Sequence, residues 1–149
     1  MQRSLVGSEM CIRDSTNGSR SVRLAMQAEH QGAYGVVVNA PMPNEVIAEI
    51  KSVVDIPVIA TVVSDRSDIK GRIEAGTDIF NVSGAAETAN IVRHIREQYP
   101  HAAIIATGGP TEESILETIR AGANAITITP PTTGELFAGI MHDYREKKL

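Results

Sequence analysis

A repeat of helix, glycine and short apolar β-branched run sets the tightest limit on the folds open to this chain. It is clearest in QGAYGVVVN, AGTDIFNVS and AGANAITIT, whose glycines Gly32, Gly76 and Gly122 lie 44 and 46 residues apart. A glycine just past a helix adopts the left-handed conformation at little steric cost, so the chain can turn directly into a strand. Two further apolar runs, PVIATVV and AAIIATG, lie between these segments, which makes the true period about 22 residues.

The apolar runs predict five strands, and the intervening segments predict six helices. The strands are expected at about residues 35–39, 57–62, 78–82, 102–107 and 124–129, and the helices at 19–31, 44–54, 66–75, 86–99, 111–121 and 133–147. Nearly continuous runs of valine, isoleucine, alanine and threonine are typical of parallel strands buried on both faces. Strict alternation with short loops implies right-handed parallel crossovers, which leaves a doubly wound sheet or a closed barrel.

The uniform length of the units favours the barrel. A doubly wound sheet needs a longer connection that carries the chain to its other half, and no such connection follows Gly32. The sequence therefore predicts an α/β fold made of the C-terminal five βα units of a (β/α)8 TIM barrel, with parallel strands in sequential order. Because a barrel has eight strands, we expect it to be incomplete. Its unpaired edges, at Val36 to Asn39 and Ala125 to Thr129, would then invite self-association.

The first fifteen residues, MQRSLVGSEMCIRDS, show neither helical nor strand periodicity. Their run LVGSEMCIRDS resembles the translation of a sequencing adapter. We therefore expect residues 1–15 to be a non-native segment and residues 16–149 to be the partial barrel domain, which opens with the helix at 19–31. The alternative is a short, native, disordered arm.

Composition and charge exclude several classes of partner. A net charge of −4, with lysine and arginine scattered along the helices, argues against nucleic acid as a partner. No apolar run is long enough for a membrane helix and no secretory signal is recognisable, so we expect a cytoplasmic protein without a membrane partner. The single cysteine, Cys11, rules out an internal disulfide and a cysteine-rich metal site.

The last two units resemble a known family of barrels. The segment from Ile105 to Gly109, followed by a helix and then by Ala121 to Thr129, looks like the seventh and eighth strands of phosphate-binding, aldolase-type barrels. The segments GAYGVVVNAP, NVSGAAETA, IIATGGPTEESI and ITPPTTGELF are more similar to a group of bacterial barrels described as hydrolases. The resemblance covers residues 32–149. It implies a metabolic enzyme of hydrolase or lyase type for a small metabolite, phosphorylated or not.

The loops after the strands hold the candidate ligand-binding residues, because TIM-barrel sites are built there. Gly108 and Gly109 would let backbone N–H groups approach a phosphate or carboxylate, although a tight turn would need the same glycines. Against an anion, Glu112 and Glu113 open the next helix and satisfy the same helix dipole. The remaining candidates are hydroxyls and amides: Thr107, Thr129, Thr132, Asn39 and Asn81. For Asn81, inside the run IFNVS, the alternative is that the side chain points into the barrel interior and is satisfied there.

Asp65 is the candidate general acid or base, since it follows the second predicted strand directly. The competing interpretation is helix capping within SDRSD by Asp65 or Ser67. The predicted strands carry no lysine for a Schiff base, no metal-ligand spacing and no G-x-S-x-G turn. No cofactor and no metal are therefore expected.

Two functions remain open for the intact parent protein. The first is a cytoplasmic metabolic enzyme whose general acid or base is supplied by the absent strands, so that this fragment would be inactive. The second is a non-catalytic barrel that senses a phosphorylated metabolite. A lysine or acid at the ends of the absent strands would favour the enzyme.

Overall fold

The computed structural model describes residues 9–12, 18–128 and 133–146. Strands and helices alternate throughout, and the predicted five strands and six helices are all present. In chain order the elements are β1 (Glu9–Ile12), α1 (Gly18–His30), β2 (Gly35–Val38), α2 (Asn44–Lys51), β3 (Val58–Val62), α3 (Ile69–Glu74), β4 (Ile79–Val82), a 3-10 turn (Ala85–Glu87), α4 (Thr88–Gln98), β5 (Ala103–Thr107), α5 (Glu112–Arg120), β6 (Ala125–Thr127) and α6 (Thr133–Glu146).

The six strands form one sheet in the order β1-β2-β3-β4-β5-β6, and every neighbouring pair is parallel. The predicted sequential order is confirmed. Because β1 and β6 are at opposite ends of this order, the described sheet has two open edges. None of the described helices has the length and apolar character needed to cross a bilayer.

The structure corrects the expected number of strands and one expected edge. Glu9–Ile12 pairs in parallel with Gly35–Val38, inside the segment that we expected to contribute nothing to the sheet. The edge on this side is therefore β1 and not Val36 to Asn39, whereas β6 is an edge as predicted. The unpaired backbone groups of β2 offer a template on which a short extended segment can pair. The non-native origin of residues 1–15 stays a prediction.

The sheet has one face covered by helices and one face that no described element covers fully. Alternate residues of β2 to β5 point to the helices and are buried: Val36, Val38, Ala60, Val62, Phe80, Val82, Ile104 and Ala106. Since side chains alternate along a strand, the residues between them point to the other side. We call that side the open face. Ile59 is buried there, and the other residues of β2 to β6 on this face that follow the first position of each strand are half-buried or exposed: Val37, Thr61, Asn81, Ile105, Thr107 and Thr127.

The amino-terminal ends of the strands are held by a polar clamp that occurs twice. In the first clamp, Asp78 accepts hydrogen bonds from the Val58 N–H (2.8 Å) and from Lys51 Nζ (2.7 Å). The Lys51 side chain crosses Gly76, where an added Cβ would lie 2.8 Å from Lys51 Cγ. Gly76 also has φ +94°, so both its conformation and the lack of space require glycine.

The second clamp repeats this arrangement 45 or 46 residues later. Asn124 Oδ1 accepts hydrogen bonds from the Ile104 N–H (2.9 Å) and from Arg96 Nη2 (2.9 Å). Arg96 Nη2 also donates to the Gly122 carbonyl oxygen (2.7 Å), and Gly122 has φ +108°. Two of the three glycines of the sequence repeat, Gly76 and Gly122, therefore belong to the same repeated clamp at the amino-terminal ends of the strands.

Candidate functional site

The carboxyl ends of the strands bring several of the predicted site residues to one side of the sheet. On the open face, Thr61 is in register with Asn81, Asn81 with Ile105, and Thr107 with Thr127. Asn81 and Thr107 are thus on the same face of neighbouring strands, with Thr107 nearer to the carboxyl end. In the described part of the chain, the side chains of Thr61, Asn81 and Thr107 donate or accept no hydrogen bond. Their polar groups are available to a ligand.

The two glycines after β5 have different roles. Gly108 is buried, and its N–H donates to the Thr127 carbonyl oxygen (3.1 Å). An added Cβ at Gly108 would lie 2.7 Å from Ile115 Cγ1 and 2.7 Å from Ile126 Cγ2, so packing alone requires this glycine. Gly109 is exposed and has φ +76°, and its N–H has no acceptor among the described residues. Of the pair, Gly109 is the one that can donate to a ligand.

The turn that presents Gly109 is fixed by the start of α5. Ser114 Oγ donates to the Gly108 carbonyl oxygen (2.8 Å), and Thr111 Oγ1 accepts from the Ser114 N–H (3.2 Å) in a reciprocal capping box. This capping holds the turn in place before any ligand binds. Glu112 and Glu113 in the first helical turn are exposed and oppose an anion there by their charge.

Asp65 does not cap a helix, contrary to the competing interpretation of SDRSD. The cap of α3 is Asp68, whose Oδ1 accepts from the Gly71 N–H (2.9 Å) and whose Oδ2 accepts from Asn44 Nδ2 (3.0 Å). Asp65 Oδ1 accepts only from the neighbouring Ser64 Oγ (3.1 Å). The exposed Asp65 carboxylate is therefore free of a structural task within the described chain.

Asp65 also lines a cavity of about 370 Å³ between the loop after β3 and the start of α4. Asn90 Nδ2 donates to Glu87 Oε2 (2.9 Å), and His94 Nε2 lies 2.8 Å from Gln98 Nε2. A carboxylate and an imidazole in one cavity are the groups that proteins use to transfer protons. The cavity is lined by Val63, Ser64, Asp65, Gly84, Glu87, Asn90, Ile91 and His94.

Sequence reasoning missed the contribution of α4 to this cavity. No candidate site residue was predicted on α4, yet His94 of that helix lines the same cavity as Asp65. Glu87, Asn90, Ile91 and His94 are three or four residues apart, which places them on one side of a helix. The sequence shows that spacing. It indicates a site only when the loop after β3, which carries Asp65, is known to lie opposite this side of α4.

Arg72 is the most buried cation of the described chain, with 7% of its surface exposed. Its Nη2 donates to the Ala40 carbonyl oxygen, while Nη1 has no partner in the described part. Burial lowers the pKa of the Arg72 guanidinium, and the nearby Asp68 carboxylate raises it. The side chain ties the loop after β2 to α3. It holds the strand-end loops together rather than facing a ligand, because Nη1 is inaccessible.

The remaining predicted site residues are placed as follows. Asn39 is half-buried, and its carbonyl oxygen accepts from the Met42 N–H (3.0 Å) in the turn after β2. Thr129 and Thr132 lie outside the described residues. Among residues 9–12, 18–128 and 133–146, no group of three or more His, Cys, Asp or Glu side chains is arranged to hold a metal ion.

The comparisons with known proteins support the fold. No protein-family model and no curated protein matches the chain. Solved structures of mandelate oxidase do match: one with 4-bromo-2-hydroxy-methylphenylacetate has 16% identity and a TM-score of 0.69, over 80% of this chain and 49% of that chain. A variant with a monooxide FMN adduct has 17% identity and a TM-score of 0.70, over 80% of this chain and 48% of that chain.

At such low identity these matches establish the fold alone: the chain is a partial TIM barrel. The chain spans about half the length of the mandelate oxidase chains. These mandelate oxidases are not the aldolase-type or hydrolase barrels that the sequence resembles. The resemblance is therefore confirmed for the TIM-barrel fold and stays a prediction for the family.

Proposed function

We propose that this chain is part of a TIM-barrel metabolic enzyme and supplies the strand-end surface that binds a small phosphorylated metabolite. One observation carries the proposal. Within the described part of the chain, the turn after β5 presents the Gly109 N–H without an acceptor, close to the Thr107 hydroxyl on the open face, which likewise has no partner there. Backbone N–H groups and hydroxyls are typical phosphate donors, and TIM-barrel phosphate sites commonly use the loops after the last two strands.

The reaction we propose is of hydrolase or lyase type, with Asp65 as the proton-transferring group. Both reaction types need a general acid or base, and Asp65 lies at a strand end, in a cavity, without a capping role. The described sheet forms one wall of such a site, with two open edges. The isolated chain should therefore bind phosphate-bearing ligands without turning them over.

The direct test is a titration of the isotope-labelled chain with inorganic phosphate, followed by amide NMR at constant ionic strength. The amides of Gly109 and of the first turn of α5 should shift, while those around Gly32 should not. Shifts confined to other regions would contradict the proposal. FMN, which occurs in the matched mandelate oxidase structures, is a larger phosphate-bearing probe. Riboflavin, which lacks only the phosphate, is its matched control.

A matched pair of glycine variants locates the site. Gly109→Leu should weaken phosphate binding at least tenfold, because a Cβ there would lie 2.7 Å from Ser114 Oγ and would displace the turn. Gly32→Leu is the control, since Gly32 has a similar φ of +83° but its added Cβ would meet nothing within 4 Å. Both variants carry backbone strain. Equal affinities in the two variants would remove Gly109 from the site.

A further inference from the structure

A second cavity, of about 450 Å³, lies where the loops that enter β4 and β5 meet the last turns of α3 and α4. We call it the amino-end cavity, because it lies at the amino-terminal ends of these strands. All of its lining residues fall between Ile73 and Ala103, in two neighbouring βα units, so no further strand or helix is needed to form it. Ligand pockets typically have volumes of about 300–1,000 Å³. The amino-end cavity is therefore large enough for a small molecule.

The walls of the amino-end cavity are mainly apolar and include two aromatic residues. Phe80 is buried, Tyr99 and Ala102 are half-buried, and Ile73 is exposed by 40%. Aromatic rings attract one another in edge-to-face and offset stacked arrangements, and they add a large apolar contact area. The walls therefore favour a compact aromatic ligand over a strongly polar one.

Two polar residues of the amino-end cavity have oxygens without a hydrogen bond in the described chain. Asp78 uses only Oδ2 in the first clamp, where it accepts from the Val58 N–H and from Lys51 Nζ, and its Oδ1 accepts none. Thr77 Oγ1 is buried and also has no partner among the described residues. A carboxylate oxygen can only accept a hydrogen bond. The ligand that suits this cavity therefore carries a hydrogen-bond donor.

We propose that the amino-end cavity is a second ligand site, which takes a small aromatic molecule whose N–H donates to Asp78 Oδ1. TIM-barrel chemistry takes place at the carboxyl ends of the strands, so the ligand bound here is an effector and not the substrate. Because Asp78 also belongs to the first clamp, and because a ligand that binds only the folded chain stabilises it, occupancy should raise the melting temperature. This proposal goes beyond the proposed function and does not depend on it.

Three bicyclic probes of nearly the same shape test the proposal by titration into the isotope-labelled chain, followed by amide NMR. Indole has an N–H donor, benzofuran has an oxygen acceptor at the same position, and indene has neither. Indole should shift the amides of Thr77, Asp78 and Ala102, and it should raise the melting temperature. It should bind about threefold more tightly than the other two probes, since one hydrogen bond separates them.

Asp78→Asn tests the donor and acceptor roles directly. Asn124 shows that asparagine suits this position of the clamp, because its Oδ1 accepts from both the Ile104 N–H and Arg96 Nη2. The variant should therefore keep the clamp and replace the free carboxylate oxygen by an NH2 donor, so that benzofuran becomes the tighter ligand. Asp55→Asn is the control. It makes the same charge change at an exposed carboxylate that does not line the cavity, and it should keep the preference for indole.

A second pair of variants locates the site without touching Asp78. Ala102→Leu places a larger side chain in the cavity wall and should weaken indole binding about tenfold or more. Ala123→Leu is the control, since Ala123 is also half-buried in a loop that enters a strand, but it does not line the cavity. Its affinity for indole should equal that of the parent chain.

Three results would overturn the proposal. Indole shifts confined to amides outside the cavity would place binding elsewhere. Equal affinities for the three probes in the parent chain would show that no donor is recognised, and this comparison decides the matter even if a variant fails to fold. A folded Asp78→Asn variant that still prefers indole would show that the N–H does not bind Asp78.

Discussion

The two ends of the strands are built differently. At the amino-terminal ends, Asp78 and Asn124 are each bonded to a backbone N–H and a long cationic side chain. At the carboxyl ends, Thr107 and Asn81 make no side-chain hydrogen bond within the described chain, and Asp65 accepts one only from its neighbour Ser64. In TIM barrels, residues at the amino-terminal face typically serve stability, and residues at the carboxyl-terminal face bind the ligand. In this chain the paired side chains of the two clamps belong to the scaffold, whereas Thr107, Asn81 and Asp65 at the other end belong to the candidate site.

The largest expected effect is at the amino-terminal clamp. Asp78→Ala removes the acceptor of the partly buried Val58 N–H and of Lys51. Because a buried donor left without a partner costs its desolvation energy, we expect the free energy of unfolding in urea to fall by about 2 kcal/mol. Asp55→Ala is the control, since the Asp55 carboxylate makes no hydrogen bond in the described chain. Equal losses in the two variants would show that the clamp contributes nothing specific.

A smaller effect is expected at the cap of α3. Asp68→Ala removes the acceptor of the Gly71 N–H and the link to Asn44. Loss of an N-cap typically costs about 1 kcal/mol, and the same urea experiment measures it. Asp68→Asn, which keeps an oxygen acceptor, should recover most of the loss. If Asp68→Asn is as unstable as Asp68→Ala, the negative charge of Asp68 near Arg72, and not its capping hydrogen bond, stabilises the fold.

The smallest effect on stability is expected at Asp65. Asp65→Asn should change the free energy of unfolding by less than about 0.5 kcal/mol, because its exposed carboxylate contacts only Ser64 Oγ. Thermal unfolding of Asp65→Asn, measured in parallel with Asp68→Asn, checks this expectation. A loss of stability comparable to that of Asp68→Ala would show that Asp65 has a structural role. The two ends of the strands would then differ less than we describe.

The sequence predicted the fold well because the signals for it are local. Each strand is a continuous β-branched run, and each clamp glycine ends a helix in the left-handed conformation, as Gly76 and Gly122 show. These features depend on neighbours along the chain, so their spacing alone predicted parallel strands in sequential order. The strand at Glu9–Ile12 carried no such signal. Its pairing follows from the open edge of β2, which no local pattern records.

The candidate site was predicted only in part, because it depends on residues far apart in the chain. Asp65 was identified from its place after a strand, but SDRSD does not say which carboxylate caps α3, and the structure assigns the cap to Asp68. The glycine pair after β5 was identified as well. Its division into a packing glycine, Gly108, and an exposed one, Gly109, required the positions of Ile115 and Ile126.

Backbone chemistry and hydrophobic periodicity were enough to specify the alternation of strands and helices, the glycine turns and the parallel order, since each acts over a few residues. The tertiary structure alone decides which polar side chains lack hydrogen-bond partners, because this depends on contacts between segments far apart in the sequence. His94 joined Asp65 in one cavity because α4 packs beside the loop after β3. Thr107 and Asn81 came to share a face because β4 and β5 pair in one particular register. Register and packing are properties of the assembled sheet, and a shift of one residue would have turned these side chains toward the helices.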